Sequence, residues 1–240
     1  MRSQSFHDLD LTDRLRIVEQ GQTWLTGHLD ALGDDGLDGP SLLPGWHRRH
    51  VIAHVGYNAR GLGRLVDWAA TGIESPMYAS AQTRADEIED GAHAAPAVLR
   101  EFVVASAVEL SEKWHALPES AWQATVRTIA GAEVPVDATL WMRAKELWIH
   151  TVDLNTGATF GEFPDEVLNQ LLVDIPENPV TGLPAGVARW ATGRGVHELD
   201  EDPGVEPPNW MQPDMQKPRL KAGVSARKGC PRGDLNPHAR

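Results

Sequence analysis

Leu11, Leu15, Val18, Leu25, Leu29 and Leu32 recur at three- and four-residue spacings, which predicts one long amphipathic helix over about residues 10–32. Gly33, Gly36 and Pro40 close it, since glycine ends a helix readily and proline cannot continue one. A second helix is expected just after Pro44-Gly45-Trp46, running to Thr71 and stopping at Gly72. Its inner stripe reads Val51, His54, Val55, Asn58, Leu62, Leu65, Val66 and Ala69, so two polar residues interrupt an apolar face. A third, over about 95–117, presents Leu99, Phe102, Val103, Ser106, Leu110 and Trp114. Residues 74–91 between them read as a long connection with one short helix, and connections of this length are often functional.

The period then changes. Residues 125–129 and 133–136 are short and β-branched around Ala130-Gly131-Ala132, which predicts a hairpin. Asp137 is the expected N-cap of a fourth helix reaching Asn155, with Gly157 just beyond. Four such helices suggest an antiparallel bundle. A fifth helix starts at Pro164-Asp165, a turn covers 180–184, and 186–192 forms one short helix. The organisation expected is a metal-binding helical bundle over 1–160, a shortened C-terminal lobe over 161–211, and a disordered or aberrant tail over 212–240. No internal repeat is found.

Composition narrows the function classes. The formal net charge is −12, and the tail from residue 212 carries seven Lys or Arg against two Asp, which leaves about −17 on the rest. A body this acidic repels phosphate backbones, so no nucleic-acid partner is expected. No apolar run reaches the ~20 residues of a bilayer span, and residues 1–10 lack the features of a signal peptide, so no membrane partner and a cytoplasmic location are expected. The one cysteine, Cys230, excludes a disulfide framework and leaves the body without a thiol nucleophile. A zinc site here must use histidines and carboxylates.

Glu146 and His150 lie four apart on the fourth helix, one turn apart on a face shared with Leu140, Arg143, Leu147 and Leu154. His54 lies on the inward stripe of the second helix. Two imidazoles and a carboxylate without a thiolate suit a catalytic zinc with an open position, and nickel or iron(II) would also be accepted. Asp153 is placed to take a hydrogen bond from a ligand imidazole. E-x-x-x-H also occurs on solvated faces, so spacing alone leaves both readings open. His47 and His50 add a further pair of imidazoles, and His50, off the apolar stripe, is expected to be exposed.

The stretch His50-Val-Ile-Ala-His54-Val, with Trp46 before and Asn58 after, resembles the first ligand helix of the DinB-like metalloproteins. The stretch from Leu140 through Glu146 and His150 to Leu154 resembles their second. More narrowly, 72–91, with Glu74, Pro76-Met77-Tyr78 and Arg84, and Ala158-Thr-Phe-Gly161 resemble the mycothiol-dependent maleylpyruvate isomerases. The resemblance runs over about 6–175 and resumes near 186–210. It implies a mostly α, DinB-like antiparallel four-helix bundle with a short β-hairpin and a truncated C-terminal lobe.

The same resemblance implies that His54, Glu146 and His150 hold zinc. Mycothiol would supply the missing sulfur, with Asn58 and Arg84 as cofactor-binding residues and Arg84 and Arg194 as catalytic residues. The implied reaction is of the gentisate route: zinc-activated thiolate addition to the cis double bond of maleylpyruvate, rotation, and elimination to fumarylpyruvate. The expected partner is a maleylpyruvate-like dicarboxylate, bound by a monomer or weak homo-oligomer. Two other readings remain open, a mycothiol S-transferase on electrophilic substrates and a non-catalytic metal-binding bundle.

Overall fold

The first helix, α1 (Leu11–Asp30), begins where the Asp10 carboxylate accepts from the Asp13 amide at 2.9 Å, and it buries Ile17, Val18, Leu25 and Leu29. In this computed structural model, which describes residues 4–175, 180–201, 203–205 and 207, the helices follow the apolar spacings closely. Next come α2 (Arg48–Thr71), α3 (Ala81–Ala92), α4 (Pro96–Ala116), α5 (Ala138–Asp153), α6 (Asp165–Val173) and α7 (Pro184–Ala191). Gly72 ends α2 at φ 72°, a left-handed position that glycine adopts without penalty. Ser80 caps α3 through the Thr83 amide, and Pro96 opens α4, where its missing N–H costs nothing.

Helices α1, α2, α4 and α5 form the bundle: α2 packs on α4 and α5, and α1 packs on α5 and more lightly on α4. Each core leucine withdrawn from water contributes roughly 2 kcal/mol. Strands β1 (Thr125–Arg127) and β2 (Glu133–Pro135) pair antiparallel with Val126 opposite Val134, and β1 lies against α2. The hairpin therefore sits where expected, though each strand ends earlier than expected.

Asp137 precedes α5, but its side chain does not cap the helix. Its carboxylate accepts instead from Arg14 and Gln123, both at 3.3 Å, which leaves the helix start to packing. The connection after α2 carries the one short helix expected of it, α3. There α3 covers α2 and buries Ile88, with Met77 and Tyr78 tucked beneath.

Beyond the bundle, α6 packs on α7 and on a 3-10 turn at Phe6–Asp8. The segment before α7 is held by a bridge between Gly182 and Leu199. A Cβ on Gly186 would stand 2.5 Å from the Glu198 carbonyl oxygen, so only glycine lets this returning chain lie so close. Within residues 161–211, the described chain forms α6, α7 and a return through residue 199. The expected tail over 212–240, with Cys230, lies outside the described residues. Among the described residues, no helix is long and apolar enough to cross a membrane.

Candidate metal centre

α2 and α5 are neighbours in the bundle, and their facing stripes bring His54, Glu146 and His150 together. His54 Nε2 lies 2.7 Å from Glu146 Oε2 and 3.1 Å from His150 Nε2, and His150 Nε2 lies 2.9 Å from the same carboxylate oxygen. The two imidazoles are buried at 3% and 4% exposure, while the Glu146 side chain keeps 29%. The group therefore opens to solvent on the side of the carboxylate.

The orientation of His150 is held from behind. Its Nδ1 lies 2.7 Å from Oδ2 of the fully buried Asp153, so one proton is fixed on Nδ1 and Nε2 is aimed at Glu146 and His54, where it offers a lone pair once its own proton is displaced. Asp153 is gripped by Arg194, whose Nε donates to Oδ1 at 3.0 Å and Nη2 to Oδ2 at 2.6 Å. Arg194 also donates to the Thr192 carbonyl. Arg194, expected as a catalytic residue, contacts Asp153 rather than the three convergent atoms.

The electrostatics follow from this crowding. Burial pushes His54 down to about 4. Burial also opposes charge on His150, but the hydrogen bonds to Asp153 and Glu146 prevail and raise it to about 9. Glu146 and Asp153 stay charged against their own burial. His54 and His150 hold Glu146 well below the usual range, and Arg194 and His150 lower Asp153. Without a metal, the three convergent atoms are tied together by a proton; a divalent cation is the natural replacement, since all three offer lone pairs.

Arg84, from α3, places Nη2 3.4 Å from His54 Nδ1, and its guanidinium lies 6.0 Å from the Tyr78 ring centre. Burial raises the Tyr78 hydroxyl to about 12, so it stays a proton donor at neutral pH. Asn58, expected beside the cofactor, lies one turn along α2 and is 5% exposed. Its Oδ1 accepts from Arg143 at 2.9 Å, which turns it toward the core. His50 departs from expectation: it is only 15% exposed in its side chain, stacked on Trp46, with Nε2 3.5 Å from Glu89 of α3. The cover supplied by α3 is the reason.

Sequence reasoning missed the polar layer beneath the centre. Arg143 donates from Nη1 to the Val55 carbonyl at 2.7 Å as well as to Asn58, and from Nη2 to Gln22 of α1 at 3.0 Å. A signal was present, because Gln22 fills the stripe position between Val18 and Leu25 where an apolar residue is expected.

A family model described as the mycothiol maleylpyruvate isomerase N-terminal domain matches residues 18–155, the span that holds His54, Glu146 and His150. Among solved structures, the chain is similar to a mycothiol-dependent maleylpyruvate isomerase. The two are 36% identical, with a TM-score of 0.82, over 86% of this chain and 99% of that chain. A crystal structure of a histidine-to-alanine mutant with the same description matches equally well. No curated protein matches the chain.

Proposed function

The chain belongs to the mycothiol-dependent maleylpyruvate isomerase family, and from that premise we propose that it isomerises maleylpyruvate to fumarylpyruvate with mycothiol as the thiol and zinc as the metal. The observation that carries this reading is the convergence of His54 Nε2, Glu146 Oε2 and His150 Nε2 on one point that is open on one side. These donors fit a catalytic metal: nitrogen and oxygen only, three in number, with one imidazole locked in the ligating tautomer. Zinc held there supplies the means of keeping a bound thiol as its thiolate at neutral pH. The described residues contain no cysteine, so the sulfur must come from outside them.

The chain's own residues have distinct tasks in this proposal. His54, Glu146 and His150 hold the metal. Asp153 keeps the His150 proton on Nδ1, and Arg194 keeps Asp153 charged and in place, so Arg194 acts as a positioning residue. Arg84 stands beside His54 and takes a carboxylate of the dianionic substrate, for which a planar guanidinium is suited. Tyr78, held protonated, steadies Arg84 through its ring face. Asn58 serves from below by holding Arg143.

The test is turnover of maleylpyruvate by the metal-loaded chain, with and without mycothiol. Turnover that needs mycothiol and leaves its concentration unchanged is the expected result. Equal turnover without any thiol overturns the reading. Stoichiometric consumption of mycothiol moves the function to a transferase on the same centre.

A further inference from the structure

A cavity of about 250 Å³ opens between α1 and α4, and none of its lining residues belongs to the metal group. Leu15 and Val18 of α1 and Val104, Val108, Leu110 and Trp114 of α4 give it apolar walls. α4 is unusual here: Val104 and Val108 are 41% and 51% exposed, so it carries apolar residues on its outer face as well as its inner one. Arg143 lines the same cavity from α5.

Arg143 is 1% exposed and makes no ion pair among the described residues. Its three hydrogen bonds go to neutral oxygens: the Val55 carbonyl, Asn58 and Gln22. A guanidinium has five N–H donors, so the Nε–H and one Nη2–H have no acceptor among the described residues. Burial lowers its affinity for the proton only to about 10, so it remains a cation at neutral pH. A buried charge whose hydrogen bonds all go to neutral groups, with the Glu146 carboxylate acting on it only through space, is costly, and an anion at this cavity would compensate it.

We propose that this cavity is a second ligand site, separate from the metal centre, for a small aliphatic monocarboxylate. The carboxylate sits on the open donors of Arg143, and the chain lies between α1 and α4. Glu19 also lines the cavity and is exposed, with its carboxylate 3.8 Å from His115. A negative charge there disfavours an anion resting at the mouth and directs the head group inward. Gln22, which already accepts from Nη2, shares that nitrogen with the ligand.

The experiment is a calorimetric titration of octanoate into the metal-loaded full chain, with octan-1-ol as the uncharged control. One octanoate per chain is expected, with the alcohol about tenfold weaker or more, because only the carboxylate makes a charge-assisted bond. Ala107→Trp, which fills the cavity from its part-buried wall, abolishes octanoate binding without moving the circular dichroism spectrum or the thermal midpoint. Val108→Glu, at an exposed wall position, weakens it by like charge. His54→Ala leaves it intact. No binding of octanoate, binding unaffected by Ala107→Trp, equal affinity for the alcohol, or loss of binding in His54→Ala each overturns the proposal. The last outcome would place the carboxylate at the metal instead.

Discussion

Two buried polar clusters lie one helical turn apart on α5 and solve the problem of buried charge in opposite ways. Around Glu146 and His150, every charge has a partner of opposite sign: Glu146 between two imidazoles, and Asp153 between His150 and Arg194. Around Arg143, a cation donates its hydrogen bonds to neutral oxygens beside a cavity, and Glu146 acts on it only through space. The first arrangement is proposed to hold a metal with one exchangeable position, and the second to take an anion. A side chain three or four residues along the same helix thus changes role entirely with the elements packed against it.

Substitution at the centre itself should have the largest effect. His54→Ala, Glu146→Ala and His150→Ala are each expected to lose the bound metal, read by elemental analysis, together with all turnover. Retention of stoichiometric metal in all three would break the assignment of the closed cluster. The open cluster is expected to matter for stability more than chemistry. Arg143→Met leaves Asn58 and Gln22 without their shared donor and should cost about 3 kcal/mol in denaturant unfolding, with metal content unchanged in the protein that remains folded.

The contrast also has a pH signature in the metal-free chain. His54, lowered to about 4, is protonated in the unfolded chain but not in the folded one between pH 4 and 6.5, so stability rises with pH over that window. His150, raised to about 9, keeps its proton in the folded chain after the unfolded chain has lost it, so stability falls from pH 6.5 to 9. Glu146, held below its usual range, adds a further loss below about pH 4.5. Unfolding curves of the metal-free chain should show a maximum near pH 6.5, on the order of 1–3 kcal/mol above either flank. Zinc should remove the descending limb, since a metal-bound His150 has no proton to lose from Nε2. A flat profile would show that the three atoms do not share a proton.

Smaller effects should come from the support behind the ligands. Asp153→Asn keeps the shape but weakens the grip on the His150 proton, and a loss of about 10–100-fold in metal affinity or turnover is expected. Arg194→Lys should cost less, because an ammonium still neutralises Asp153 but cannot match both of its oxygens. If Arg194→Lys raised KM alone and left kcat and metal affinity untouched, Arg194 would be a substrate clamp rather than a positioning residue.

Much of this molecule was legible along the chain, and the reason is local. The helical repeat of α1, α2, α4 and α5, the stop at Gly72, the hairpin around Gly131 and the shared face of Glu146 and His150 depend on residues a few positions apart. His54 could be nominated because a polar residue interrupts its apolar stripe, although nothing local pairs it with residues some ninety positions away. Where tertiary contacts compete with a local preference, the structure departs from the pattern. Asp137 gives its carboxylate to Arg14 and Gln123 instead of capping α5, and His50 is covered because α3 folds over α2. The hold of Arg194 on Asp153, the burial of Arg143 without an ion-pair partner among the described residues, and the cavity between α1 and α4 came from tertiary packing alone. They are set by how whole helices approach one another, and that depends on the volume and charge of side chains far apart in sequence.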